Sequence, residues 1–461
     1  MEDSKLNFYN RLAELSKIED KNIFREGLFG LELENQRITL TGDLALTPHP
    51  AVFGDKGSNP RITTDFSESQ IEMITPPCES PEEVYYALMN IAQEVRKGIG
   101  EERLWPLSMP PRLPEEELIP IARYQDQEKA REKYRQELAL RYGKKMQMIS
   151  GLHYNFSLGD KLIDILYKQQ SIKIDKKEFI DNLYFDMIRN FLRYRWLLIY
   201  LYGASPTYDP SYESVVEREL ETVRKCCPEC CQNSINYLKN ATSLRVSRFG
   251  YSGSRQRKHK VYFNCLCEYK SKMKNMMERK VIQKESEFYS PIRPKQVLQE
   301  GETQLEAIEK RGVKYIEVRI LDINPYEPIG IGLGQLRFLH VFLMFCLLER
   351  SKSISSKELK KINANHHIVA LNGRDPSIEV YDYKFGKSSL KNLGLNIFAK
   401  LEQIAREMDS GTEGAKYLES VLYEREKLID NSKLISARIV REMQQNNESF
   451  LDFGLRLTEE R

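Results

Sequence analysis

The sequence predicts an α+β chain that forms one large domain. Four segments alternate polar and apolar residues with a period of two, which is typical of strands with one face against a core. The glycines at 330–334 precede an apolar helix but do not match a dinucleotide-binding loop, because Gln335 stands at the third glycine position. No linker or repeat divides the 461 residues, so we expect a single domain over 1–461.

The composition excludes several classes of function. Lys and Arg number 70 and Asp and Glu 67, so the net charge of +3 does not favour binding to nucleic acid or to a membrane surface. The N-terminus has no apolar core of a signal peptide, and the longest apolar run, 338–348, is too short to cross a bilayer. We therefore expect a cytoplasmic protein that acts on small molecules.

The order of the elements follows from the spacing of apolar residues and from turn residues. Trp105 to Pro111 contains three prolines, which predicts a buried extended segment rather than a helix. The predicted strands are 28–47 (a strand pair), 63–74, 150–157 and 315–323, and the predicted helices are 1–24, 81–99, 128–142, 159–203, 335–350 and most of 356–461.

Residues 205–240 are predicted to be an irregular surface insertion, and they contain half of the eight cysteines. Cys226, Cys227, Cys230 and Cys231 do not have a second pair at the spacing that a structural zinc site needs. Without a secretion signal, ordinary or redox-sensitive thiols are favoured over disulfides and over zinc.

The polar faces of the four strands contain the chemically unusual residues. Five carboxylates and an imidazole converge if the strands share one sheet, and they could not all be ionised there without cations. These residues are Glu32, Glu34, Asp65, Glu72, His153 and Glu317, with Arg319 on the same face. The alternative is four unrelated strands whose polar faces lie in water.

The donor types favour hard divalent cations. Carboxylate oxygens suit Mg²⁺ or Mn²⁺, and Mg²⁺ usually takes only one or two protein carboxylates together with phosphate oxygens. This many acids therefore predicts more than one ion and a polyphosphate substrate. Arg319 would then stabilise negative charge on a transferring phosphoryl group.

Eight blocks in order along the chain resemble those of bacterial glutamate–cysteine ligases. The resemblance includes both the stand-alone enzymes and the ligase half of bifunctional glutathione synthases. The blocks are GLELENQR, TTDFSESQIEMITPP, LWPLSMPP, MQMISGLHYNFSL, ATSLRVSRFGY, EFYSPIRPK, YIEVRILDINP and ISARIVREM. The resemblance implies a fold similar to glutamine synthetase, in which a curved antiparallel sheet forms an open barrel around the active site with helices outside.

The resemblance also implies the reaction and its residues. ATP would drive the joining of the γ-carboxylate of L-glutamate to the amine of L-cysteine, through a γ-glutamyl phosphate. Six positions match the family's metal ligands: Glu32, Glu34, Asp65, Glu72, His153 and Glu317. Arg319 and Arg135 match catalytic positions, and Arg319 also matches the arginine that contacts the γ-phosphate of ATP. Matches to the substrate pocket are Phe66, Tyr134, Leu138, Gln147, Ile149, Arg245, Tyr251 and Tyr289.

Two alternatives stay open at this stage. A ligase of the same fold could use a different amine acceptor, since only the residues of the acceptor pocket distinguish such an enzyme from a glutamate–cysteine ligase. A regulator built on an inactive ligase would be expected to lack metal-binding positions, and none is lacking. The family's bifunctional members add an ATP-grasp synthetase, which this chain does not contain, so we expect a separate glutathione synthetase in the pathway.

The basic run 255–260 generates a prediction about ATP. If this loop borders the nucleotide, Arg257 and Lys258 contact its phosphates, and replacing either with alanine should raise the KM for ATP. Steady-state kinetics with varied ATP test this. An unchanged KM in both variants would instead support a solvated loop.

Overall fold

A computed structural model gives the structure of the chain and describes residues 7–125, 128–170, 173–226, 237–250, 256 and 259–459. Within these ranges the strands are β1 (Gly27–Ile38), β2 (Ile62–Thr64), β3 (Gln70–Ile74), β4 (Arg103–Leu104), β5 (Leu152–Leu158), β6 (Ile292–Lys295), β7 (Tyr315–Leu321), β8 (Glu379–Asp382) and β9 (Gly386–Ser389).

The helices in the same ranges surround the strands. They are α1 (Phe8–Ser16), α2 (Pro81–Gly98), α3 (Lys129–Tyr142), α4 (Lys144–Gln147), α5 (Asp160–Lys168), α6 (Lys176–Tyr202), α7 (Glu213–Cys226), α8 (Tyr237–Asn240), α9 (Leu266–Glu278), α10 (Gln304–Arg311), α11 (Leu333–Leu348), α12 (Ser356–Asn372), α13 (Leu390–Asp409), α14 (Lys416–Ile429), α15 (Ile435–Asn446) and α16 (Phe450–Glu459). No helix in the described part of the chain is long and apolar enough to cross a membrane.

The main sheet is antiparallel throughout and has the strand order β2-β3-β1-β5-β7-β6, with β4 paired to β1. Its edge strands β2 and β6 do not pair with each other in the described structure, so the sheet is not closed into a barrel. The prediction of an α+β fold with an antiparallel sheet and helices outside is confirmed.

The apolar face of the sheet packs against helices. Phe29 of β1 and Phe156 of β5 are buried, and the centroids of their rings are 5.4 Å apart. His340 of α11 contacts both rings at centroid distances of 4.9 and 5.1 Å. Burial lowers the pKa of His340 to about 3, so this imidazole is a neutral core residue rather than a catalytic one.

Local signals in the sequence explain where the helices begin and end. Ser80 caps α2 by accepting a hydrogen bond from the amide of Glu83, and Pro81 occupies the first turn, where its missing N–H is not needed. Acids stand in the first turn of α2 and bases in its last turn, which suits the helix dipole.

The extended segment after β4 is buried, as predicted, and connects β1 to the chain that follows β7. The amide of Trp105 donates to the carbonyl of Gln36 at 2.8 Å, and the hydroxyl of Ser108 accepts from the amide of Ile323 at 2.7 Å. The indole of Trp105 is fully buried and donates to the carbonyl of Met109. The segment therefore fixes β1 relative to the chain that follows β7.

Three predictions about the elements were wrong. Residues 63–74 are not one strand, because β2 ends at Thr64 and pairs antiparallel with β3, which begins at Gln70. Residues 28–47 are not a strand pair, since β1 ends at Ile38 and only a single bridge joins Ile38 to Leu44. Residues 205–240 are not irregular throughout, because Glu213–Cys226 form α7. Cys227, Cys230 and Cys231 lie outside the described residues. The β8–β9 hairpin within the predicted C-terminal helices was missed, because its Gly386 turn lies between short polar strands without a clear apolar alternation.

Gly454 gives a prediction about stability. A methyl group at Gly454 of α16 would lie 2.0 Å from the Trp105 ring, whereas one at Gly334 of α11 would meet only Ser420 at 3.7 Å. Gly454→Ala should therefore lower the free energy of unfolding by about 1–3 kcal/mol, because overpacking outweighs the gain in helix propensity from glycine to alanine. Gly334→Ala is the matched control and should be neutral or stabilising.

Urea unfolding followed by circular dichroism measures both variants. If Gly454→Ala were as stable as Gly334→Ala, α16 would not pack closely on the Trp105 ring.

Candidate active site

A cavity of about 600 Å³ lies on the polar face of the sheet. Most of the site residues predicted from the sequence line it: Glu32, Glu34, Asp65, Phe66, Glu72, Tyr134, Arg135, Leu138, Gln147, His153, Arg245, Tyr289 and Arg319. Glu317 lies directly beneath this wall and is 2% exposed. Ile149 is fully buried in the apolar core, where its carbonyl accepts a hydrogen bond from Gln70. Tyr251, Arg257 and Lys258 lie outside the described residues.

The register of the strands brings the acidic residues together. Glu34 of β1 stands directly opposite Glu72 of β3, and Glu32 stands opposite His153 of β5. Residues that are directly opposite in an antiparallel pair have their side chains on the same face of the sheet. One ligand atom each from Glu32, His153 and Glu317 lie within 4.8 Å of one another, close enough to hold a single ion.

A β-bulge between β5 and β7 shapes the same region. Leu152 pairs with Leu321, but Tyr154 pairs with Val318, so β7 has an extra residue opposite His153. Bulges of this kind redirect side chains. Here Arg319 and Ile320, which are adjacent in sequence, both reach the cavity wall.

Hydrogen bonds fix the orientation of the first acids. Nδ1 of His153 lies 3.0 Å from Oε2 of Glu32, and the amide of Asn155 donates to Oε1 of the same carboxylate at 2.8 Å. The main-chain N–H of Gly151 donates to Glu34 at 3.1 Å. Sequence reasoning did not select Asn155, although the alternation of β5 places it on the same face as His153.

The acids have unequal electrostatic environments. Burial opposes ionisation of Glu32, but the hydrogen bond from His153 together with the charges of His153 and Lys295 outweighs it and lowers the pKa of Glu32. Burial and the charge of Asp65 raise the pKa of Glu34 to about 8, and the same two causes raise that of Glu72 well above its usual value. Two of the four sheet carboxylates are therefore disfavoured as anions unless positive charge is added beside them.

Positive side chains neutralise Glu317. Nη1 of Arg319 donates to one oxygen at 2.9 Å, and Nζ of Lys295 lies 3.4 Å from the other. Burial again opposes ionisation, but these cations hold the pKa of Glu317 well below its ordinary value. Lys295 of β6 was not predicted from the sequence, because the position before Gln296 gave no chemical signal of its own.

Helix α3 and the loop before β6 form the opposite wall. The amide of Gln147 donates to the phenol of Tyr289 at 3.2 Å, and the rings of Tyr289 and Tyr142 pack edge to face. Tyr134 and Leu138 follow one face of α3 at a spacing of four residues. This wall is largely apolar and aromatic, in contrast to the acidic sheet.

Arg135 connects the two walls. Its guanidinium donates to the carbonyls of Asp65 and Thr64 and lies 4.9 Å from the centre of the Tyr124 ring. Lys56 and Arg131 also approach this ring, at 5.3 and 5.8 Å. Tyr124 was not predicted from the sequence, and its contacts with three cations tie α3 to the strand segment that contains Asp65.

Comparisons with known proteins decide the family. The model of the glutamate–cysteine ligase family matches residues 12–281 and 275–369. The chain is 53% identical to glutamate–cysteine ligase from Clostridium acetobutylicum, over 95% of this chain and 96% of that protein. This chain belongs to the glutamate–cysteine ligase family.

Two further relatives agree with this assignment. The chain is 39% identical to the glutathione biosynthesis bifunctional protein of Clostridium perfringens, and the match covers 97% of this chain but 56% of that protein. The crystal structure of glutamate–cysteine ligase from Francisella tularensis in complex with AMP has a TM-score of 0.83 and 29% identity, and the match covers 94% of this chain and 88% of that one.

Glu34 gives a prediction about stability and pH. Because its pKa is raised in the folded protein, the unfolded chain loses this proton first as the pH rises, and the folded state loses stability between about pH 4.5 and pH 8. Glu34→Gln removes this loss. The metal-free variant should therefore melt a few degrees above the wild type at pH 8 and close to it at pH 4.5, in differential scanning calorimetry.

Glu349→Gln is the matched control, since buried Glu349 lies between Lys384 and Lys400 and not among other acids. It should destabilise the protein at pH 8. A melting temperature of Glu34→Gln below that of the wild type at pH 8 would contradict repulsion among the cavity acids.

Proposed function

We propose that this chain synthesises γ-glutamylcysteine from L-glutamate, L-cysteine and ATP. The observation that carries the proposal is the convergence on one cavity wall of acids from β1 and β3, the imidazole of β5 and Arg319 of β7. The activities named for its relatives, and the nucleotide held by the Francisella enzyme, support the same conclusion.

The acidic wall fits divalent cations. Its donors are carboxylate oxygens and one imidazole nitrogen, and the raised pKa values of Glu34 and Glu72 are what a cluster awaiting positive charge would show. Glu32, His153 and Glu317 would hold one ion, and Glu34, Asp65 and Glu72 would hold others. Bound Mg²⁺ or Mn²⁺ would neutralise negative charge on the phosphate oxygens during phosphoryl transfer.

The first step needs two anions to approach each other. A carboxylate oxygen of glutamate attacks the γ-phosphorus of ATP, the bond to the β–γ bridging oxygen breaks, and ADP leaves. Arg319 remains charged because Glu317 beside it outweighs the effect of burial and raises its pKa above the ordinary value. Its guanidinium faces the cavity and would bind the transferring phosphoryl group through charge-assisted hydrogen bonds.

The second step forms the amide bond. The neutral amine of cysteine attacks the acyl carbon of γ-glutamyl phosphate, phosphate leaves with the bonding pair, and the amine loses its proton. Tyr134, Leu138 and Tyr289 line the less polar wall, and Phe66 lines the cavity next to Asp65 in the chain. A thiol side chain would displace water from this apolar surface. Holding the amine against the acyl phosphate supplies much of the rate, and exclusion of water protects the intermediate.

Arg135 has a different place in this scheme from the one predicted. Because its guanidinium is bound to main-chain carbonyls of the segment 64–65, we propose that it holds α3 against the sheet and presents its remaining charge to the substrates. The reaction consumes ATP and needs L-cysteine with its thiol reduced, which favours the cytoplasm. We also propose that a separate synthetase consumes the dipeptide.

The proposed function predicts phosphate release that depends on both amino acids. Wild-type protein with ATP, Mg²⁺ and L-glutamate should release phosphate rapidly only when L-cysteine is added, and mass spectrometry should identify γ-glutamylcysteine. Arg319→Lys keeps the charge but loses the planar pair of donors, and we expect kcat to fall by about 10²-fold or more.

The control is Arg425→Lys, which changes a guanidinium paired with Glu402 outside the cavity and should leave kcat unchanged. ATP consumption with another amine and not with cysteine would identify a ligase with a different acceptor. No turnover with any amine would refute the proposed function.

A further inference from the structure

The guanidinium of Arg245 is held on three sides. Nη1 lies 3.8 Å from Oδ1 of Asp322, and Nη2 donates to the carbonyl of Arg319 at 3.1 Å. The third side is Gly151, whose Cα faces the guanidinium plane. Arg245 itself is 3% exposed and reaches the cavity wall, so its surroundings decide where its charge is presented.

Asp322 is fixed independently of the cavity. It follows the end of β7, is buried, and accepts hydrogen bonds from the amide of Ala204 at 2.8 Å, from Ser205 at 2.7 Å and from Ser243 at 3.0 Å. Three donors from two different chain segments prevent this carboxylate from rotating. Its charge is therefore a fixed anchor for Arg245.

Gly151 leaves the space that the guanidinium occupies. A Cβ at this position would lie 1.8 Å from Nη2, 2.2 Å from Cζ and 2.4 Å from Nε of Arg245. Its φ angle lies outside the left-handed region, so the backbone would accept any L-residue and only the contact with Arg245 requires glycine. Gly151 also bonds to Glu34 through both its N–H and its carbonyl, which fixes its position next to the acidic wall.

We infer that Gly151 and Asp322 are positioning residues that hold the Arg245 guanidinium where it binds the carboxylate of an amino-acid substrate. This inference rests on the proposed function for the identity of the substrates. Neither residue touches a reactant: Asp322 supplies the counter-charge from behind, and Gly151 provides room beside the metal-binding acids. The acids would bind cations, and through them the phosphate oxygens, while this guanidinium binds a carboxylate next to them.

Two variants test the inference from different directions. Gly151→Ala displaces the guanidinium by steric contact, and Asp322→Asn removes the anchoring charge at nearly constant volume. Each should raise the KM of one amino-acid substrate, L-glutamate or L-cysteine, by about tenfold or more, which is the effect of losing a charge-assisted contact. The KM for ATP should stay within about twofold, because the phosphate-binding residues are unchanged.

A double-mutant cycle distinguishes positioning from general damage. If Gly151 acts through Arg245, Gly151→Ala should have little further effect on the same KM in an Arg245→Lys background, where the planar group is absent. Gly334→Ala and Asp181→Asn are the controls. The first adds a methyl group where space exists, and the second changes a buried carboxylate that accepts from Val313 and pairs with Lys177 away from the cavity.

Binding of L-glutamate and L-cysteine is measured by isothermal titration calorimetry alongside turnover. The binding data test the inference even if the enzyme makes a product other than γ-glutamylcysteine. Weaker binding of one amino acid in both variants, with the controls unchanged, supports it and identifies the carboxylate. Unchanged binding and KM for both amino acids would overturn it. The inference would also be overturned if binding of both amino acids and of ATP weakened equally, and if Gly151→Ala had its full effect in the Arg245→Lys background. A purely structural role gives that result.

Discussion

The structure depends on keeping like charges together on one face of a sheet. Glu34 and Glu72 stand directly opposite each other across β1 and β3, an arrangement that costs free energy in any isolated sheet. The main-chain ladder and the buried apolar face oppose that cost, because a shift of one residue would move every acid into the core. The pattern therefore fixes the register and the charge cluster at the same time.

The remaining charges in the site are arranged around this constraint. Asn155 and His153 bond to Glu32, and Lys295 and Arg319 neutralise Glu317, so those two acids are stable as anions in the absence of metal. At Glu34 and Glu72, neighbouring positive groups and hydrogen bonds do not outweigh burial and the charge of Asp65, so the pKa of each stays raised. The protein thus keeps part of the cluster permanently charged and leaves the rest to be charged by what binds, which couples stability to ligand binding.

The sequence predicted which residues lie on the polar face of the sheet better than it predicted the residues that line or support the rest of the cavity. A period of two is a local property, so Glu32, Glu34 and His153 could be placed on one face from their neighbours alone. Tyr124 and Asp322 could not, because their roles come from contacts with α3 and with residues more than 70 positions away. The bulge in β7 was also beyond the pattern, since alternation would have turned Ile320 away from the cavity that it lines.

Two of the arginines that line the cavity, Arg319 and Arg245, differ in what balances their charge. Arg319 is paired with Glu317, which belongs to the set of residues that we propose as metal ligands, so a cation bound there would change its environment. Arg245 is anchored by Asp322, which does not line the cavity and which neutral donors hold in place. The carboxylate contact that we propose for Arg245 therefore does not depend on whether the acids are neutralised. Separate counter-ions would allow the proposed amino-acid and phosphate contacts to be adjusted independently within one cavity.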